Sequence, residues 1–235
     1  MRSVVWLLGT VLLAGAGPAV AGAPGAVLAG TVKLAGPAPA RPPLEVFKNV
    51  EVCGASVADD RLVIGPDGGV RYAVVTVDGV HGGAKPVRDV VVFLDNRGCR
   101  FVPHVQTAEV GQWLEIVNSD PILHNADARL AQETLFNVAL PPEKRVRKPL
   151  ARAGRIAVTC DVRHTWMSAF IDVADDPYHT TTDAYGAWEI PDVPPGRYTV
   201  RVWHELLGTQ TQEVLVQPGR NDVAFTLAAP AEDPR

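Results

Sequence analysis

Hydrophobic and polar positions alternate in short runs along most of the chain. Valine-rich runs of about four to eight residues are separated by Gly, Pro, Asp and Asn, and the spacing typical of helices is almost absent. The clearest example is the run YTVRVW at 198–203. Its residues Tyr198, Val200 and Val202 share one face of a strand, opposite Thr199, Arg201 and Trp203. This pattern predicts an all-β protein built from sandwich-type sheets.

The predicted strands are short and occur along the whole chain. The apolar run at 90–94 is continuous, so we expect it to form a buried central strand. In the run at 110–117, Leu114 and Ile116 fall on the face opposite Trp113. The predicted strands cover residues 27–34, 61–65, 70–77, 90–94, 110–117, 155–159, 168–173, 188–190, 198–203, 212–216 and 222–227.

The N-terminus has the features of an export signal. Arg2 precedes an apolar run at 4–13, and Ala19, Val20 and Ala21 form the small-x-small pattern of a cleavage site. We therefore expect a signal peptide that is cleaved near Ala21, and a periplasmic or secreted protein. An uncleaved N-terminal anchor is the alternative. No further apolar run is long enough to predict a transmembrane span in the mature chain.

The charge balance excludes nucleic acids as partners. The chain has 22 Lys and Arg against 26 Asp and Glu, a net charge of −4, and it lacks the basic stripe of a nucleic-acid-binding surface. The single basic cluster, at 144–148, is consistent with the solvated start of a strand or with a docking patch for an acidic partner.

The three cysteines are Cys53, Cys99 and Cys160, and an odd number leaves one thiol unpaired in an oxidising compartment. Cys53 and Cys99 each lie beside a glycine in turn-like surroundings, whereas Cys160 follows a predicted strand. We favour a Cys53–Cys99 disulfide with Cys160 free to bind a metal. The sequence leaves other arrangements open, with Cys160 buried and inert or with Cys53 and Cys99 both free.

Residues 160–167 read CDVRHTWM, and they place a thiolate, an imidazole and a thioether on one loop. Two histidines, one cysteine and a distant axial methionine form the ligand set of mononuclear blue-copper sites. The loop provides Cys160, His164 and Met167 but only one histidine. His124, which follows the turn NSDP at 118–121, is the natural second donor.

With these motifs in place, residues 87–174 resemble a cupredoxin domain. The resemblance includes the strand that ends in NSD at 118–120, the His124–Asn125 pair and the Cys-x3-His-x2-Met loop. It implies a Greek-key β-sandwich that binds one copper ion of type 1-like character. His124, Cys160, His164 and Met167 would be the ligands, and Asn125 would fasten the ligand loop.

Other interpretations of the motif are less favoured. A binuclear copper site would need a second cysteine where the chain has Ile156. A zinc site is disfavoured because methionine is a poor zinc ligand, and a cysteine nucleophile activated by His164 lacks a clear oxyanion hole. The same residues could also simply pack a loop. His104 is expected to be structural or exposed, with a role in a metal site as the alternative.

Residues 178–227 resemble a second family, the carboxypeptidase regulatory-like (transthyretin-like) β-sandwich, on the runs TDAYG at 182–186 and VPPGRYTV at 193–200. This resemblance implies a smaller β-sandwich and says almost nothing about activity. Because residues 27–34 resemble its opening strand, insertion of the cupredoxin-like domain into it is one arrangement. The predicted division is a signal peptide at 1–21, an N-terminal β segment with a Pro-rich connector at 22–85, a cupredoxin-like copper domain at 86–175, a carboxypeptidase regulatory-like domain at 176–228 and a tail at 229–235.

Together these features predict an exported, non-enzymatic copper protein that transfers electrons. Its partner would be a redox protein such as a cytochrome or a periplasmic oxidoreductase, and we expect His164 to be the ligand edge nearest the surface. The alternatives are a copper carrier or storage protein, or a β-sandwich module that binds glycan, cell wall or a partner protein.

Overall fold

The computed structural model describes residues 25–229, and it is built almost entirely from strands. The predicted signal peptide therefore lies outside the described residues. The first nine strands are β1 (Ala26–Ala35), β2 (Leu44–Glu45), β3 (Ser56–Val57), β4 (Val74–Asp78), β5 (Val91–Asn96), β6 (Phe101–Val102), β7 (Val105–Glu109), β8 (Trp113–Asn118) and β9 (His124–Leu130). The remaining strands are β10 (Glu133–Leu140), β11 (Arg145–Pro149), β12 (Gly154–Thr159), β13 (Ser168–Ala174), β14 (His179–Thr181), β15 (Ala187–Val193), β16 (Gly196–His204), β17 (Gly208–Val216) and β18 (Arg220–Ala228).

One sandwich joins the N-terminal strand to the C-terminal part of the chain. Its sheets have the strand orders β15-β1-β18 and β14-β4-β16-β17. Strand β1 is parallel to β18 and antiparallel to β15, so the chain's first described strand lies in the middle of its sheet. A valine-rich core fills the space between the sheets and includes Val75, Val200 and Phe225.

The second sandwich lies between β4 and β14 in sequence. Its sheets have the orders β10-β9-β12-β13-β7 and β11-β8-β5-β6. Leu94, Leu114, Ile116, Ile156 and Ile171 are buried between them. This arrangement confirms the predicted all-β fold with two sandwiches. The domain boundaries after residues 85 and 175 stay a prediction.

The segment between β1 and β4 crosses from the first sandwich to the second. There β2 pairs with β3, and the connection between them contains the one-turn helix α1 (Val50–Cys53). The disulfide Cys53–Cys99 ties this hairpin to the loop between β5 and β6, as predicted from the glycine neighbours. Val46, Val57 and Cys99 form a small buried cluster beneath it.

Several sequence-based element predictions were wrong. Residues 61–65 form no strand but only an isolated bridge between Ile64 and Val70, because the turn that follows them closes too tightly for a ladder. The run at 90–94 is only partly buried, with Phe93 52% exposed, because its sheet packs the core on one face. Strands β9 and β10 were not predicted, since their polar residues hide the alternation.

Strand β8 follows the predicted alternation. Leu114 and Ile116 are buried in the core, whereas Trp113 is exposed. Glu115 is also buried, and it accepts hydrogen bonds from Arg145 and Arg147 on the adjacent strand.

Within residues 25–229, no helix has the length and the apolar character that a membrane span requires.

Candidate metal centre

The predicted ligands meet at one edge of the five-stranded sheet. Strand β9 begins at His124, and it runs antiparallel to β12, with Thr159 opposite Asp127. Cys160 follows the last residue of β12, so antiparallel pairing brings it to the start of β9. The loop 161–167 then returns the chain to β13 and carries His164 and Met167 to the same edge.

Three donor atoms form a compact triangle. The Nδ1 atoms of His124 and His164 are 3.0 Å apart, and the Cys160 Sγ lies 3.9 Å from the first and 3.7 Å from the second. Both histidines are fully buried, and Cys160, 3% exposed, is a free cysteine. A point equidistant from the three atoms lies about 2 Å from each, which is close to ordinary metal–ligand bond lengths for nitrogen and sulfur.

Met167 follows His164 by three residues on the same loop. Its backbone N–H donates to the His164 carbonyl at 2.9 Å, which closes a turn between the two residues. Its side chain, 1% exposed, is part of the same buried cluster as Cys160. One thioether, one cysteine sulfur and two imidazoles together form a donor set that copper accepts and zinc does not favour.

Asp120 orients the His124 ring. Its carboxylate lies 3.0 Å from His124 Nε2 and also accepts the backbone N–H groups of Gly98 and Cys99 at 2.7 and 2.8 Å. Burial raises the pKa of Asp120, but the hydrogen bonds outweigh burial and the pKa lies below its usual range. With the proton held on His124 Nε2, Nδ1 carries a lone pair that points toward the other two donor atoms and can bind a metal.

The pKa of His124 responds to the same contacts. Burial lowers it, while hydrogen bonds to Asp120 and Cys160 raise it, and the net effect is a raised pKa.

Asn49 plays the corresponding part for His164. Its Oδ1 lies 2.9 Å from His164 Nε2, so that ring nitrogen donates a proton and Nδ1 faces the other two ligands. Burial, followed by the nearby charges of His124 and Lys48, lowers the pKa of His164 to about 4. His164 is therefore a neutral imidazole at neutral pH, as metal binding requires. His164 is fully buried, and Asn49 lies over its ring. That its edge is the ligand edge nearest the surface stays a prediction.

Asn125 joins the two segments that carry the predicted ligands. Its backbone N–H points at the Cys160 Sγ at 3.5 Å, and its side-chain oxygen accepts the N–H of Asp161. The side-chain nitrogen donates to Asn137 Oδ1 at 2.7 Å on strand β10. These contacts fasten the loop that carries Cys160 to strand β9.

The remaining predicted residues lie elsewhere. Ile156 is buried in the core of the sandwich, four residues before Cys160. His104 is buried rather than exposed, because it packs between the two sandwiches. Its Nδ1 contacts the Ser168 carbonyl at 2.9 Å, and its Nε2 contacts the Glu205 carboxylate.

Among residues 25–229, two groups of three potential metal donors come close together. One is His124, Cys160 and His164, and the other is Cys99, Asp120 and His124. The second group is not available as it stands, because Cys99 is in the disulfide. His104 belongs to neither group.

Asp120 and Asn49 were not identified from the sequence. Asp120 lies four residues before His124 in the turn NSDP, a position that could have indicated a partner for the histidine. Nothing near Asn49 in the sequence points to a contact with a residue 115 positions away.

Comparison with known proteins yields one family match and several structural matches. Residues 168–228 match the carboxypeptidase regulatory-like domain. The Cu-containing nitrite reductase from Thermus scotoductus SA-01 is 27% identical over 40% of this chain and 24% of that chain, with a TM-score of 0.34. The purple cupredoxin from Nitrosopumilus maritimus is 20% identical over 36% of this chain and 99% of that chain, with a TM-score of 0.31.

An amicyanin mutant in its reduced state is 16% identical, covering 42% of this chain and 97% of that chain, with a TM-score of 0.32. The chain thus spans about a quarter of the nitrite reductase that it resembles. No curated protein sequence matches the chain. The chain therefore carries a match to the carboxypeptidase regulatory-like domain at 168–228, and the solved structures similar to it are cupredoxins.

Proposed function

We propose that the protein binds one copper ion in a type 1-like site and exchanges electrons through it. The observation that carries the proposal is the meeting of two imidazole Nδ1 atoms and one free thiol, 3.0 to 3.9 Å apart, in the protein interior. His124, Cys160 and His164 would be the principal ligands, with Met167 as the weak axial ligand. Copper, when bound, would supply a one-electron couple.

The residues around the site support this role by holding the ligands in place. Asp120 and Asn49 each accept a hydrogen bond from the Nε2–H of one histidine, so both rings present Nδ1 without rearrangement. Asn125 holds the Cys160 loop against β9. Burial of all three donors excludes water from the ion, and a preorganised ligand set keeps reorganisation small when the charge of the ion changes.

The proposed setting is an oxidising compartment. The disulfide Cys53–Cys99 supports export to the periplasm or the exterior, since such bonds are rare in the cytosol. The proposed partner is a redox protein such as a cytochrome or a periplasmic oxidoreductase. We propose no catalytic role for the chain.

The deciding experiment is addition of Cu(II) to the purified protein. We expect one copper per chain and an intense visible thiolate-to-copper charge-transfer band. Cys160→Ser should abolish the band, because the replacement has similar size but no thiolate. His81→Ala, which alters an exposed loop histidine, should leave the band unchanged. A colourless protein without stoichiometric copper would overturn the proposal.

Complete burial of His164 favours a second function, copper storage or delivery. A ligand set with no exposed edge retains its ion well and exchanges electrons slowly with large partners. Reversible voltammetry and reduction by a small cytochrome would separate the two functions. Fast, reversible electron exchange supports electron transfer, whereas stable Cu(I) binding without such exchange supports storage.

A further inference from the structure

The segment that covers His164 is a small, well-defined unit. We call residues 44–57 the cap. Its ends pair as β2 and β3, with Leu44 opposite Val57, and the Val46 N–H donates to the Ala55 carbonyl at 3.0 Å. The turn between them holds helix α1. The cap precedes the metal-site sandwich in the chain, yet it packs over the loop that follows Cys160.

Apolar and polar contacts hold the cap against that loop. The rings of Phe47 and Trp166 meet edge to face, with centroids 5.4 Å apart. Lys48 Nζ donates to the Val162 carbonyl at 2.7 Å. Trp166 in turn donates from Nε1 to the Cys99 carbonyl at 2.9 Å, so the ligand loop is held between the cap and the Cys99 turn.

A covalent bond fastens the cap. Cys53 ends helix α1, and its disulfide partner Cys99 donates its backbone N–H to Asp120, the residue that orients His124. The Cys53 N–H donates to the Asn49 carbonyl at 2.9 Å. The disulfide therefore connects the segment that orients His124 with the segment that orients His164.

The backbone of Asn49 is held in the conformation that aims its side chain at His164. It adopts the left-handed region, with φ 56° and ψ 38°, which asparagine tolerates better than most residues. Its Nδ2 donates to Glu51 Oε1 at 3.3 Å, and this contact turns Oδ1 toward His164 Nε2. The amide is thus fixed at both ends.

We propose that the cap closes the copper site, with Asn49 as the positioning residue for His164 and the Cys53–Cys99 disulfide as its fastening. The inference rests on the proposed function for the identity of the metal. Closure itself concerns the chain alone, because the contacts that hold the cap over His164 are all made by residues of the chain. Opening the cap would expose the ligand triangle, and closing it would trap the ion with both rings oriented.

A matched pair of variants tests the role of Asn49 without metal. Asn49→Gly keeps the left-handed backbone and removes the amide, while Asn49→Asp keeps an acceptor oxygen at the same place. In apo protein at neutral pH, nitrogen-15 NMR should show His164 almost wholly as the Nε2–H tautomer. We expect Asn49→Gly to give a mixture of tautomers and Asn49→Asp to restore the single form.

The second test measures access to the site by alkylation of Cys160. The chain has three cysteines, so Cys160 is the only free thiol in the wild type and the only cysteine in the Cys53→Ser/Cys99→Ser double variant. We expect its reaction with iodoacetamide in the folded apo protein to be at least about tenfold faster in the double variant, in line with exposure of a buried thiol. Val173→Ala, a core truncation at the far end of the β12–β13 pair, controls for simple loss of stability.

Copper release provides the third measurement. From loaded protein, transfer to a Cu(I) chelator should be about 10- to 100-fold faster in Asn49→Gly and in the double variant. This range matches the loss of metal affinity that follows removal of a hydrogen bond to a ligand histidine. An unchanged His164 tautomer together with unchanged Cys160 alkylation would overturn the cap proposal. If the protein takes up no copper, the proposed function fails, while the two metal-free measurements still decide the cap.

Discussion

Asn49 Oδ1 lies 2.9 Å from His164 Nε2, although 115 residues separate the two in the chain. The contact brings the cap over His164, which is fully buried. Under the proposed function, a redox partner would therefore meet the cap before it meets the proposed ligand His164.

Asp120→Asn should weaken copper binding by about 10- to 100-fold, because the variant loses the charge that holds the proton on His124 Nε2. Competition with a chelator of known affinity measures the change. Asp127→Asn is the matched control. Like Asp120, Asp127 is a buried carboxylate, but it lies on β9 and pairs with Arg129. Equal losses of copper affinity in the two variants would contradict a specific role of Asp120 and would show that a buried carboxylate matters here only for folding.

Met167→Leu should retain copper and raise the reduction potential, since loss of an axial sulfur disfavours the oxidised ion. The swap conserves volume, so the free energy of unfolding of the apo protein should fall by less than about 1.5 kcal/mol. Voltammetry of the loaded protein and urea unfolding of the apo protein give the two values. An unchanged potential would remove Met167 from the ligand set.

His204 should make stability depend on pH between about 6.5 and 4. Burial, followed by the charge of His104, lowers the pKa of His204 to about 4, against the small opposing effect of the Arg71 backbone. The unfolded chain binds the proton more readily, so this stability is complete above pH 6.5 and is lost as pH falls.

The test compares wild type with His204→Asn, which keeps an acceptor for the Leu206 N–H. From pH 7.5 to pH 4.5, the free energy of unfolding should fall by about 2–3 kcal/mol more in wild type than in the variant. Urea titrations at each pH supply the values. Parallel pH profiles for the two proteins would contradict the prediction.

Phe170 and Trp203 couple the two sandwiches. Their rings meet edge to face with centroids 5.3 Å apart, and the Arg155 guanidinium lies 3.5 Å from the Trp203 ring centre. A double-mutant cycle with Phe170→Leu and Trp203→Leu should give a coupling energy of about 1 kcal/mol. Additive effects of the two changes, measured by urea unfolding, would show that the contact contributes no stability.

Local sequence was sufficient for the features that depend on neighbouring residues. Alternation in 198–203 and 110–117 predicted β16 and β8, because side chains point to opposite faces of a strand. The loop from Cys160 to Met167 showed its chemistry directly, since its donor atoms lie within eight residues. Strands β9 and β10 escaped prediction because buried polar residues such as Asp127 interrupt their apolar pattern.

By itself, then, the sequence determined the all-β class and the residue types able to hold a metal. It favoured the Cys53–Cys99 pairing, and the structure decided it. Only the tertiary structure decided that residues 44–57 cover the site and that Asn49 and Asp120 hold the two histidines. The reason is physical: alternation and motif spacing report local geometry, whereas the cap is placed by contacts between residues distant in sequence. Those contacts arise from sheet packing and one disulfide, and neither produces a periodic pattern in the sequence.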